Sequence, residues 1–297
     1  MTPRILEHQV PSSGSQPYIL TFGPDGALWF CESGTGKIGR YDVDRETFRE
    51  FALPDPRSQP VGIIGGADGN LWFTEYATHR IGRITVDGVI TEFELPTAGA
   101  GPNGIIDGPD GNVWFSEADI DRIACVTPNG EVTEFAHGIA SGSRPLALAV
   151  RGEEIWFTQA SGSAVACRRA DGRVQQFRTP SANSQPRALT IHPNGDLWFV
   201  LTDANALACC DAEGRISEHR VPTPNASLRG VTVGADGELW CTENRANKIG
   251  RMRSDGTMIA EYDIPTAASG ARAIVAAPDG RFFFSQFDIG CIGEVRL

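Results

Sequence analysis

The chain has 297 residues, 41% of them hydrophobic, with 37 acidic against 26 basic side chains and a net charge of −11. Phosphate binding draws on a basic face, so this balance argues against nucleic acid as a partner. No apolar stretch reaches bilayer-spanning length, and the first residues hold no basic segment followed by an apolar one. No membrane association and no signal peptide are therefore expected, and a cytoplasmic monomer is the default.

The first element is a fragment. Residues 5–11, Ile-Leu-Glu-His-Gln-Val-Pro, match residues 90–96, Ile-Thr-Glu-Phe-Glu-Leu-Pro, which close a unit beginning at Gln59. That unit, residues 59–100, holds four short apolar runs cut by Gly, Asp and Pro, with Asp68-Gly69 and Asp87-Gly88 in the form that favours two-residue hairpin turns. It reads as a four-stranded antiparallel meander. Copies begin at Gln16, Gln59, Gly101, Arg144, Gln185, Ser227 and Gly270, and Asp-Gly or Asn-Gly recurs after the first strand in all but the fourth, which has the shorter Gly152-Glu153-Glu154. The seventh copy ends at Leu297 after its third strand. The fragment in residues 1–15 supplies the missing fourth strand and closes the ring.

All six tryptophans fall on one ruler, Trp29, Trp72, Trp114, Trp156, Trp198 and Trp240, in steps of 43, 42, 42, 42 and 42 residues, and a further step of 43 lands on Phe283. A period near 42 belongs to propeller blades. The fold class is all-β: a seven-bladed β-propeller of four-stranded antiparallel blades, one domain over residues 1–297, with each Trp packed between blades. Cys125, Cys167 and Cys209 are 42 apart and so occupy one position in three successive blades, too far apart for disulfides. All seven cysteines are expected to be reduced and packed as small apolar residues.

The start of strand one and the end of strand two lie at the same face of an antiparallel blade. Strand one lines the central channel, so both positions should converge on one mouth. The first holds Tyr18, Val61, Asn103, Leu146, Arg187, Arg229 and Arg272; the second holds Glu32, Glu75, Glu117, Gln159, Leu201, Glu243 and Gln286. Such a mouth would grip a small-molecule ligand carrying a carboxylate or ester oxygen, with Tyr18, Asn103, Arg187, Arg229 and Arg272 as its binding residues. Against this, Arg40, Arg83 and Arg251 each stand eight residues after a glutamate, as cross-strand ion-pair partners would. That pairing discounts a metal site built from these acids and leaves Glu117, which has Cys125 instead, as the free one. None of the five histidines falls on a mouth position; His8 and His219, at the position of Phe93, are expected to be solvated edge residues. No nucleophile elbow, P-loop or zinc-protease signature is present.

The repeat wording, Leu71-Trp72-Phe73-Thr74-Glu75, Asn247-Lys248-Ile249-Gly250-Arg251 and Ile-Thr-Glu-Phe-Glu-Leu-Pro-Thr over residues 90–97, resembles the virginiamycin B lyases (streptogramin B lyases) along the whole chain. The resemblance implies a seven-bladed propeller that uses Mg²⁺ to open a cyclic depsipeptide antibiotic by elimination, and hence a role in antibiotic resistance. Carried over residue by residue, the family's histidine in blade six falls on Arg229, its glutamate and histidine in blade seven on Gly270 and Arg272, and its last glutamate on Gln286 or Phe287. The mouth aromatic is kept as Tyr18. Mg²⁺ is thus implied by the resemblance but not supported at the matched positions, and no metal ligand is assigned.

Two readings stay open. In one, the chain is an enzyme, a Mg²⁺-dependent carbon–oxygen lyase with a rearranged set: Arg229 and Arg272 on the substrate oxygen, and Glu117 or Glu243 as base. Arginine stays protonated and cannot replace a histidine as base. In the other, it is a non-catalytic small-molecule-binding or scaffold propeller.

Overall fold

The computed structural model describes residues 3–297. Its 28 strands form seven four-stranded antiparallel sheets, six of them taken consecutively from the chain. The seventh joins Ala271–Ala276, Phe282–Gln286 and Cys291–Arg296 to the N-terminal strand Arg4–Gln9, paired from Arg4 opposite Arg296 to Gln9 opposite Cys291. The expected ring closure is observed. A buried carboxylate fastens it: Glu294 accepts from Arg296 (Nε, 2.7 Å), and His8 Nε2 lies 2.9 Å from its other oxygen. His8 Nδ1 also meets the Tyr41 hydroxyl of blade one at 3.0 Å. His8 is therefore a packed bridge rather than a solvated edge residue. His219 is half-buried against the Trp198 ring, and burial pushes its pKa down. Both expectations fail because the outer-strand position is packed over: His219 lies against the Trp of its own blade, and His8 lies between Glu294 and Tyr41 of blade one.

Four of the six tryptophans are fixed by their own hairpins, while the Trp198 and Trp240 indole nitrogens are buried without a partner. Trp29 Nε1 donates to Asp25 of the turn at 2.9 Å and its ring stacks on Phe51 of the fourth strand. The opposite side of the blade packs on its neighbour: Trp72 shares a core cluster with Val113, Phe115 and Val126 of blade three. The tryptophans are inter-blade packing residues, and removing one such ring costs about 3–5 kcal/mol. The seven cysteines are free thiols, with Cys125, Cys167 and Cys209 opposite Trp114, Trp156 and Trp198 in the ladders.

A second recurring contact joins the blades. After strand four the chain turns at a proline, and the Ser or Thr that follows gives its N–H and O–H to a strand-four glutamate of the next blade. Thr97 does this to Glu134 (3.1 and 2.7 Å), Ser12 to Glu50, Ser181 to Glu218, Thr223 to Glu261 and Thr266 to Glu7. Two seams depart from the pattern. Asp55 takes the Thr position before Glu92, and Gln176 takes the Glu position in blade four.

Candidate functional site

Every innermost strand is bulged at its start. In blade six Leu228 pairs with Glu243 and the next paired residue is Val231, so the register shifts across Arg229 and Gly230. The same shift spans Arg272 in blade seven, Arg187 in blade five and Tyr18 in blade one. A bulge re-aims the side chains it contains. Strand-two hydroxyls take up the backbone groups it frees. The Gly230 N–H donates to Thr242 Oγ1 (2.8 Å), and that hydroxyl donates to the Arg272 carbonyl (2.5 Å). Only glycine fits at 230, where a Cβ would stand 2.3 Å from that carbonyl oxygen. The residue ahead of strand one is left-handed in all seven blades, from φ 49° at Gln16 to 70° at Gly270. Its carbonyl is held by an N–H from the loop after strand two, as Gly270 is by Phe287.

The innermost strands enclose a cavity of about 260 Å³. Tyr18, Asn103, Leu146, Arg187, Arg229 and Arg272 all line it, as the repeat alignment places them; Val61 is buried away from it, and Gly62 lines it instead. Arg144 is exposed outside it. Among the described residues, none of the three cavity arginines pairs with an acid. Arg187 gives one bond, to Gln185 Oε1 at 3.1 Å, while its Nε and that of Arg272 are buried without an acceptor. The Arg272 guanidinium lies 3.5 Å from the Phe287 ring centroid and 4.9 Å from that of Tyr18, which fixes its direction. Burial, with Arg187 adding repulsion, lowers the Arg229 pKa to about 10, still well above neutrality. Three cations thus meet in one cavity without a counter-charge.

The strand-two acids behave differently from expectation. Glu32, Glu75, Glu117 and Glu243 sit beside the mouth in register, Glu32 opposite Pro17 and Glu243 opposite Leu228, but each is fully buried in the blade and none lines the cavity. Nor do they pair with the strand-three arginines. The hairpin puts Glu32 opposite Lys37 and Arg40 opposite Trp29, so the eighth residue on lies at the far end of the sheet. There Arg40 binds Asp25 at 2.7 Å, and Arg251 binds Asp236 at 3.0 Å. What each glutamate meets instead is a strand-four glutamate: Glu50, Glu92, Glu134 or Glu261. Burial, reinforced by that like charge, raises Glu32 to about 7 and Glu117 and Glu243 to about 8, and pushes Glu75 in the same direction. Glu117 lacks an arginine eight residues on but stands opposite Arg122 in the ladder, so it is not the free acid expected, and neither it nor Glu243 reaches the cavity as a base would need to.

Sequence reasoning missed Phe287 as the platform under Arg272 and the strand-four glutamates as the partners of the strand-two acids. The second was readable: Glu7, Glu50, Glu92, Glu134, Glu218 and Glu261 recur at one repeat position.

The family model "Virginiamycin B lyase family" matches residues 3–150 and 137–297. The chain belongs to the virginiamycin B lyase family. Among solved structures, a streptogramin B lyase superposes with a TM-score of 0.94 at 31% identity, over 99% of this chain and 98% of that one. A catalytically inactive virginiamycin B lyase from Staphylococcus aureus with quinupristin gives the same TM-score and identity over 100% of both. The virginiamycin B lyase of Saccharopolyspora erythraea is 51% identical over a stretch of 39 residues, which spans 13% of each chain. No helix among the described residues is long and apolar enough to cross a membrane.

The Mg²⁺ that membership of the virginiamycin B lyase family implies does not fit this cavity. A hard dication wants several oxygen ligands, carboxylates above all. Among its lining side chains the cavity offers the hydroxyls of Tyr18 and Thr21, the Asn103 amide and three guanidiniums that repel a cation, but no carboxylate. Among the described residues no three His, Cys, Asp or Glu side chains come together as ligands.

Proposed function

We propose that this member of the virginiamycin B lyase family is a small-molecule-binding propeller whose channel mouth holds an anion. The observation that carries it is the group of three guanidiniums from blades five, six and seven, lining one cavity without an acid among the described residues to balance them. Arginines are planar forks suited to carboxylate and phosphate oxygens, and a buried donor left unmet costs free energy that an anion recovers. Binding without elimination is favoured because Arg229 and Arg272 stand where the family resemblance puts histidines. The two glutamates that would serve as bases lie outside the cavity. The second reading, a lyase, draws on the S. aureus relative found with quinupristin.

One experiment separates the two. The protein is incubated with a streptogramin B, with and without Mg²⁺, and followed by chromatography, since elimination opens the ring without changing the mass. In parallel, benzoate and inorganic phosphate are titrated against thermal unfolding. The expected outcome is an intact antibiotic and an anion-dependent rise in melting temperature that Arg272→Ala abolishes. Ring opening that is lost in Arg272→Ala would establish the lyase instead.

A further inference from the structure

We infer that the anion this mouth takes is amphipathic, with its charged head on Arg187, Arg229 and Arg272 and an apolar body inserted down the channel. This inference rests on the anion-binding reading and adds an orientation and a ligand class to it: small organic acids with a hydrocarbon or aromatic body.

The cavity is charged at one end only, and deeper in, Thr21 is the one polar side chain among its lining residues. Immediately below the arginines, the next residues of the same strands are Ala188, Gly230 and Ala273, with Ala147 beside them in blade four. Below these come Leu148, Leu189, Val231 and Ile274, which also line the cavity. Charge at the rim gives way within one residue to methyl groups and backbone, and then to branched aliphatic side chains.

Backbone at that depth offers a ligand little. The N–H groups of Ala147, Gly230 and Ala273 already donate to Thr158, Thr242 and Ser285 at 3.1, 2.8 and 3.1 Å. The carbonyls of Leu146 and Arg272 accept from the hydroxyls of Ser116 and Thr242 at 2.6 and 2.5 Å. Strand-two hydroxyls satisfy the bulged strands in five blades (Cys31 and Val200 hold that position in blades one and five), and among the side chains lining the cavity the atoms buried without a partner are Arg187 Nε and Arg272 Nε.

A ligand polar along its whole length would leave its inner end desolvated against aliphatic walls, which is costly without partners. An acid with an apolar body satisfies both ends. The volume of about 260 Å³ lies just under the range usual for drug-sized ligands, so the body is that of a small acid. The Tyr18 and Phe287 rings beside Arg272 extend apolar surface to the rim, where the body leaves the head group.

The test is a homologous series: acetate, butyrate, hexanoate and octanoate, with succinate and inorganic phosphate as anions lacking a tail, titrated calorimetrically against wild type, Arg229→Ala and Leu189→Ser. Wild type should gain about fourfold in affinity per buried methylene until the cavity is full, the factor that corresponds to burying one CH₂. Arg229→Ala should weaken every member by a similar factor and keep the slope. Leu189→Ser should flatten the slope while sparing acetate, and a melting curve of each variant confirms that it is folded. A flat series in which succinate or phosphate binds as well as hexanoate would overturn the amphipathic inference and leave the anion site standing. No binding by any anion would remove the anion site as well.

Discussion

The cavity arginines and the buried glutamates stand one strand apart at the same end of the blades, and each set crowds like charges. They resolve the conflict differently. A carboxyl can keep its proton, and burial beside Glu134 and Glu261 raises Glu117 and Glu243 to about 8, so at neutral pH they are held largely as neutral acids. A guanidinium has no such exit, since Arg229 at about 10 is still charged at pH 7. The glutamates can settle their charge within the blade, whereas the arginines keep theirs, which is the ground for the anion proposed above. Burial of like charge marks a binding site only where the group cannot neutralise itself.

Arg229 is where this contrast is most open to test. Arg229→Met should reduce anion affinity by roughly 100-fold, the scale of one charged hydrogen-bonding partner. The same change should stabilise the ligand-free protein by about 1 kcal/mol by relieving repulsion from Arg187 and Arg272. Calorimetric titration and thermal melting read the two effects, which should have opposite signs. A variant less stable without ligand would show that the arginines are already balanced.

On the glutamate side the lever is pH. A carboxyl whose folded pKa is raised keeps its proton in the folded state after the unfolded chain has lost it. Stability therefore falls as pH rises from about the ordinary value of 4.5 to about 8 and then levels off. A tenfold weakening of the acid in the folded state is worth about 1.4 kcal/mol over that fall. Glu117 faces Glu134 and Arg122, and Glu243 faces Glu261 and Lys248, so these neighbours also enter the profile. Urea unfolding across this range should show the decline in wild type. Glu117→Gln and Glu243→Gln should flatten it and be more stable than wild type at pH 8.5. Parallel profiles would mean that these acids are ionised throughout.

Smaller effects belong to the contacts that hold the strand-four acids. Thr97→Val removes the hydroxyl bond to Glu134 and should cost about 1–1.5 kcal/mol in denaturant unfolding. Asp55→Ser supplies the missing hydroxyl at the seam before Glu92, one of whose oxygens is buried without a partner. It should stabilise by about 0.5–1 kcal/mol. If Asp55→Ser destabilised, the contacts Asp55 makes with Arg57 would outweigh the new one.

Much of this was legible from the chain. Blade number, turn positions and the alignment that brings Arg187, Arg229 and Arg272 together all follow from a 42-residue ruler, because equivalent positions in a closed ring are equivalent in space. The same ruler located the closing strand, which His8 and Glu294 then lock. It did not reveal that Glu117 and Glu243 are turned into the blade, because both positions share a face in sequence and only packing decides which enters the channel. Hairpin register likewise overruled the apparent glutamate–arginine pairs, since the distance along two strands depends on where the turn falls.

The amino-acid order was enough to establish the family, the wheel and which residues approach its hub, since repetition encodes symmetry. Which side chains face the cavity, and which are buried beside like charge, was settled only in three dimensions. Bulge direction, burial and the partner across the blade seam are set by atoms distant in the chain.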